Sequence, residues 1–189
     1  MAPALQGAGT FFICMKRVEL FIDGFNLYHS LMNWPEFRKY RWLDFNLLGR
    51  SILSKNETLV GVYFFTAYYP GDPAKTARHT TFVQAQSLVG VTTVLGAFRR
   101  KDKHCKLCHR TYPGYEEKET DVNIAVEILT GAALDRYDKC IVLSNDSDLI
   151  PVYRALRRTY PAKAIKLLFP PRCAGELLKA EVPDYMRLK

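Results

Sequence analysis

Along the chain, apolar residues gather in short runs with the β-branched and aromatic content of buried strands: Val18–Ile22, Leu59–Thr66, Val91–Ala97, Cys140–Leu143 and Ala164–Phe169. The runs are near-continuous rather than alternating, which is the pattern of strands covered on both faces. Helical periodicity fills the intervals. Pro73–Val89 opens on a proline suited to a first turn and places Ala77, Phe82, Ala85 and Leu88 toward a core. Asp121–Leu134 places Val122, Ala125, Val126 and Leu129 on one face, with Asp121 where the orphan amides of a helix start favour a carboxylate. Leu149–Arg158 follows the fourth run directly. Strands alternating with helices predict an α/β fold with a parallel sheet and helices on both faces.

Two segments depart from this alternation. Asn33–Arg50 is aromatic and basic and reads as a short helical lid, whereas Phe98–Glu119 is polar, carries "RRKDKHCKLCHR" and reads as an excursion from the sheet. With no internal repeat or linker, residues 16–189 are expected to form one domain, with the excursion at about 98–119 and an N-terminal extension over 1–15. A chain of 189 residues that is 48% hydrophobic and 13% aromatic can bury a sizeable core. No apolar run approaches the roughly 18 residues of a spanning helix, and the first residues lack the pattern of a secretory signal, so a cytoplasmic protein without membrane contact is expected. The formal charge of +8 favours a polyanionic partner. Of the 5 cysteines, Cys14, Cys105, Cys108, Cys140 and Cys173, only one pair is close in sequence, which argues against a disulfide framework.

Open parallel sheets bind ligands beyond the carboxyl ends of their strands, and acids stand at those positions. Asp23 follows the first run, with Asn26 three residues on. Asp146 and Asp148 follow the fourth run in "LSNDSD", and Asp121 starts the helix leading to that run. Singly, each has an ordinary reading as a turn residue or helix cap. Jointly they form an oxygen-only donor set on one edge, the chemistry of Mg²⁺ or Mn²⁺, with Ser144 and Asn145 as neutral companions. Cys105 and Cys108 make half of a tetrahedral zinc site, flanked by His104 and His109 and with His79 as a further candidate; reduced thiols on a solvated loop and redox chemistry are the other readings. Arg99, Arg100, Lys101, Lys103 and Lys106 are either a solvated charge run or a nucleic-acid contact holding phosphates beside the acids, with Trp34, Trp42, Tyr112 and Tyr115 as stacking candidates.

Three blocks, "ELFIDGFNLYHSL", "EEKETDVNIAVEILTGAALDRYDKCIVLSNDSDLIPVYRAL" and "FPPRCAGELLKAEVPDYMRL", resemble NYN domains of the PIN-like nuclease superfamily, in particular the LabA-like branch. The resemblance runs from about Val18 to Leu188. It implies a PIN-like parallel sheet, divalent-metal binding and RNA cleavage, with the family's acids on Asp23, Asp121, Asp146 and Asp148 and its asparagine on Asn26. Many relatives read serine-glycine-aspartate-glycine-aspartate in the last block. Ser144-Asn145-Asp146-Ser147-Asp148 keeps both acids and loses both glycines, which leaves the path of that loop open. The resemblance therefore implies a metal-dependent endoribonuclease, the alternative being an RNA-binding or adaptor module on the same fold. A phosphatase using an aspartyl nucleophile would need Asp-x-Asp after the first run, where this chain has Asp23-Gly24-Phe25.

Overall fold

A computed structural model describes residues 15–173 and 175–189; apart from Met15, the expected N-terminal extension lies outside the described residues. The first strand, β1 (Lys16–Asp23), is central to the fold. Its successive side chains point to opposite faces of a sheet covered on both sides, so Leu20 and Ile22 enter one core cluster and Phe21 the other.

After β1 come α1 (Gly24–Asn33), a 3-10 helix at Pro35–Trp42, α2 (Phe45–Ser51), β2 (Glu57–Thr66), α3 (Pro73–Leu88) and β3 (Thr92–Leu95). An antiparallel hairpin follows, β4 (Ala97–His104) and β5 (Thr111–Lys118). The chain then runs through α4 (Thr120–Ala133), β6 (Lys139–Leu143), a short 3-10 turn, α5 (Ile150–Thr159), β7 (Ala164–Phe169), α6 (Glu176–Glu181) and β8 (Tyr185–Arg187). The main sheet has the order β3-β2-β1-β6-β7-β8, and every pair in it is parallel. Leu27, Leu31, Phe45, Leu48 and Val83 of α1, α2 and α3 pack on one face; Ile124, Ile128, Tyr153, Leu156 and Leu178 of α4, α5 and α6 pack on the other. This is the α/β sheet expected from the alternating pattern.

Several details correct that pattern. The run Val91–Ala97 divides at Gly96 into the end of the main sheet and the start of the hairpin. A Cβ at Gly96 would come within 2.7 Å of the Lys118 carbonyl oxygen, so only glycine lets the chain turn there beside β5. The excursion is thus a regular hairpin, and its polar residues hid it because both of its faces are largely in water. The core faces of two helices are also rotated. α3 buries Val83 and Gln86 while Leu88 is 89% exposed, and α4 buries Ile124, Ile128 and Ala132 while Val122 is 64% exposed. In α4 two apolar stripes lie side by side, and the sheet takes the one with the bulkier isoleucines. The lid segment forms the 3-10 helix and α2, with Asp44 capping α2 through the Leu47 amide at 2.9 Å.

Charge is also carried into the fold. Glu19 is 3% exposed, and Arg136 joins it at 3.2 Å, tying the end of α4 to β1. Among the described residues no helix is long and apolar enough to cross a membrane.

The passage from β1 into α1 is tightly constrained. A Cβ on Gly24 would meet a Phe64 ring carbon and the Phe65 carbonyl oxygen, each at 2.5 Å. The Phe65 contact is backbone held in the sheet and cannot step aside. Gly24→Ala is therefore expected to lower stability by about 1–3 kcal/mol, read as a fall in urea midpoint at constant m-value.

Candidate active site

The strand order reverses at β1. Chain from β1 to β3 extends the sheet in one direction, and β6 to β8 extends it in the other, so β1 and β6 flank the switch point where open α/β sheets form a crevice. Register places Ile22 opposite Leu143, so Asp23 and Ser144 leave neighbouring strands together.

Asp23 is 4% exposed, and both of its oxygens are engaged. Oδ1 accepts from the Asn26 amide at 3.0 Å, capping α1, and Oδ2 accepts from Ser144 Oγ at 2.8 Å. The backbone amide of Asp146 donates to Ser144 Oγ at 3.0 Å, and that of Asp148 donates to Asp146 Oδ1 at 2.9 Å. Asn26 closes the arrangement from α1: its Oδ1 accepts from the Asn145 amide at 3.0 Å. Asn145 Oδ1 is buried without a hydrogen-bond partner. Neither Asn145 nor Ser147 takes a positive φ, so the loop follows a backbone path open to residues other than glycine.

From the opposite side, β5 and α4 bring in further acids. Glu119 sits between them with φ of 78°, a left-handed conformation in which a non-glycine residue is strained. That sharp turn folds Glu117 back onto the helix start, where its Oε1 accepts from the Thr120 amide at 3.1 Å and also from the Thr120 hydroxyl. Asp121 follows in the first turn of α4. The result is a cleft of about 340 Å³ lined by Asp23, Asn26, Glu117, Asp121, Asn145 and Asp146, with His29 at its side. Asp148 is exposed and is not among the lining residues, although its charge is felt by Asp121.

The electrostatics follow from crowding. Burial raises the Asp23 carboxyl above the usual range against its two hydrogen bonds, and Asp146 and Glu117 add repulsion. Asp121 is pushed up to about 6, first by burial and then by Asp146, Asp23, Glu117 and Asp148. An oxygen-only donor set short of positive charge fits a hard divalent cation. Among the described residues, no three His, Cys, Asp or Glu side chains stand ready as a metal cage. Mg²⁺ does not require one, since it keeps several waters and uses one or two carboxylates together with substrate phosphates.

Residues 17–188 match the NYN domain family. The chain belongs to that family. NYN domains have a PIN-like, nuclease-type fold, and the six-stranded parallel sheet agrees with it. The NYN fold is also similar to the crystal structure of a protein of unknown function from Vibrio parahaemolyticus, with a TM-score of 0.65 at 17% identity, covering 98% of this chain and 97% of that one. No curated protein matches the chain.

In this NYN domain the expected acids Asp23, Asp121 and Asp146 meet on one cleft with Asn26, and Asp148 stands outside it. Glu117 is an addition that the sequence hid in the acidic run "EEKETD". Only the two-residue period of β5, which sets Glu117 on the same side as Tyr115, singles it out. The basic set lies on the hairpin. Arg99 is paired with Glu119 at 2.9 Å and Lys101 with Glu116 at 2.8 Å, while Arg100, Lys103 and Lys106 are exposed. The base of the hairpin is rooted beside the cleft by edge-on contacts of Phe98 with Phe25 at 5.6 Å and with Tyr69 at 5.4 Å. Cys105 and Cys108 are at its tip, and His79 lies elsewhere, bonded to Thr66 Oγ1 at 3.1 Å.

Because the folded pKa of Asp121 lies above its unfolded value of 3.8, the folded state holds that proton more tightly. The stabilisation is full below 3.8 and is lost as pH rises through about 6. With chelator present, the protein is therefore expected to be more stable at pH 5 than at pH 7 on account of this group, by on the order of 1 kcal/mol after allowance for solvent screening. Asp121→Asn should flatten that part of the stability–pH curve, measured by denaturant midpoints; an unchanged slope would disprove the crowding.

Proposed function

We propose that this NYN protein is a divalent-metal-dependent ribonuclease that hydrolyses RNA phosphodiester bonds in the acid cleft. The observation that carries the reading is the convergence of Asp23, Asp121, Asp146 and Glu117 with Asn26 at the sheet's switch point. Mg²⁺ or Mn²⁺ would be held by Asp23, Asp121 and Asp146, with Asp148 reaching in from the rim. When bound, such an ion supplies a water of lowered pKa and neutralises charge developing on the phosphate.

The protein's own groups do the rest. Ser144 Oγ and the Asn26 amide fix both Asp23 oxygens, so the carboxylate is oriented before substrate arrives. Asn26 Oδ1 is occupied by Asn145, which aims the amide NH₂ as a donor for a phosphate oxygen. Arg100, Lys103 and Lys106 attract the polyanion to a cleft whose own charge repels it, and Arg99 and Lys101 join them when their pairs with Glu119 and Glu116 open. An adaptor that binds RNA without cutting is the second reading, favoured by the exposed Arg100, Lys103 and Lys106 of the hairpin, which would serve binding alone.

Structural zinc at the hairpin tip is a separate proposal. Cys105 accepts from the backbone amides of Cys108 and Leu107, which holds its thiol below the ordinary range and suits it to ligation as a thiolate. Two thiolates leave two positions for ligands from beyond this pair.

Asp23→Asn and Asp146→Asn are each expected to reduce Mn²⁺-dependent cleavage of labelled RNA by at least about a hundredfold, the scale lost with one charge-stabilising group, while circular dichroism stays native. Wild-type rates in both variants would remove the nuclease reading, and RNA binding without cleavage in wild type would favour the adaptor. For the tip, metal analysis of reduced, chelator-free protein should find zinc that Cys105→Ser eliminates; its absence from wild type would leave a solvated turn.

A further inference from the structure

A second cavity, of about 500 Å³, opens next to the acid cleft. Phe25 and His29 line both, so the two share one wall. The acid cleft is built of oxygen donors, whereas this neighbour is built of rings. Tyr28, Trp42, Phe64, Tyr69 and Phe98 surround it, and at its mouth Trp42 is 56% exposed and Tyr28 41% exposed. Large aromatic side chains are normally placed where folding buries them, so several left open around one concavity constitute a binding surface.

Positive charge is laid over these rings. The Lys75 ammonium is 5.2 Å from the Tyr69 ring centre and 5.8 Å from that of Tyr28, and Arg41 and Arg78 also line the cavity. At the polar end, His79 Nε2 and Thr66 Oγ1 share a hydrogen bond of 3.1 Å, a donor–acceptor pair that can exchange partners with the edge of a heterocycle. Burial and Lys75 hold the His79 imidazole below its ordinary range, which favours the neutral, two-way form.

We propose that this cavity receives an unpaired nucleobase of the RNA whose backbone lies across the acid cleft. The inference rests on the ribonuclease reading for the position of the backbone, but the base site stands on its own walls. Flat π-faces accept any base, Lys75, Arg41 and Arg78 meet the adjoining phosphates, and the shared wall at Phe25 and His29 sets the base one step from the bond to be cut. A base paired within a helix cannot enter without first being unstacked, so a duplex pays a few kcal/mol that a single strand does not.

The chain has 2 tryptophans, and only Trp42 lines this cavity; Trp34 stacks instead under Arg172, 5.2 Å from its ring centre. Trp34→Phe therefore leaves Trp42 as the single tryptophan, which can be excited at wavelengths where the tyrosines do not absorb. In EDTA, where no cleavage occurs, short single-stranded oligouridine and oligoadenosine are expected to quench Trp42 saturably, and a blunt RNA duplex of equal length is not. In the same background Tyr28→Ala should weaken single-strand affinity about tenfold, within the range of one lost stacking partner, and Tyr28→Phe should restore it. Equal quenching by duplex and single strand would overturn the proposal, as would wild-type affinity in Tyr28→Ala. RNA cleavage by a protein whose Trp42 stays silent would also overturn it and leave the nuclease reading standing; quenching in a protein that cuts nothing with any divalent ion would do the reverse.

Discussion

Parallel pairing of β1 with β6 is the constraint on which the rest of this structure depends. Each strand is hydrophobic on both faces and can only sit inside a sheet covered by helices. Once they are neighbours, Asp23 and Ser144 emerge side by side, and the 2.8 Å hydrogen bond between them follows from register. A carboxylate as buried as Asp23 would otherwise carry a desolvation cost of several kcal/mol. The bonds from Ser144 and Asn26 offset part of it, at about 1.5–3 kcal/mol for each charge-assisted bond.

Those bonds do not remove the repulsion among the acids. Asp121 remains well above the ordinary carboxylate range, Glu119 holds a left-handed backbone at the entrance to α4, and Asn145 keeps a buried oxygen without a partner. Such local costs persist only where the surrounding fold over-determines them. Here the over-determination comes from two rigid halves, the strand ends on one side and the hairpin–α4 junction on the other, pressed together by independent core clusters on the two faces of the sheet. Compact assembly of the fold and tolerance of a strained, acid-rich cleft are therefore aspects of the same packing.

The hairpin β4–β5 has little core of its own and would be marginal alone. Its base is secured by Phe98 and Tyr115 against Phe25 and Tyr69, and that aromatic contact also forms the boundary between the acid cleft and the ring-lined cavity beside it. One cluster thus fixes the position of the basic residues and shapes the second cavity. It also explains why the polar excursion leaves the sheet at the edge where the acids collect.

Much was legible from residue order alone. Buried parallel strands, their alternation with helices, and acids at strand ends are properties of short segments, because strand burial and helix capping act over a few residues. Asp23, Asn26, Asp121 and Asp146 could therefore be named before any contact was known. Tertiary structure alone decided which stripe of α4 faces the core, since Val122–Val126 and Ile124–Ile128 are both apolar and only the sheet chooses between them. It also decided that Glu117 lies in the cleft while Asp148 stands outside it, and that distant aromatics from α1, the 3-10 helix and β2 enclose one cavity. Local sequence specifies which side chains an element carries, whereas the direction each one faces is set by partners far away in the chain.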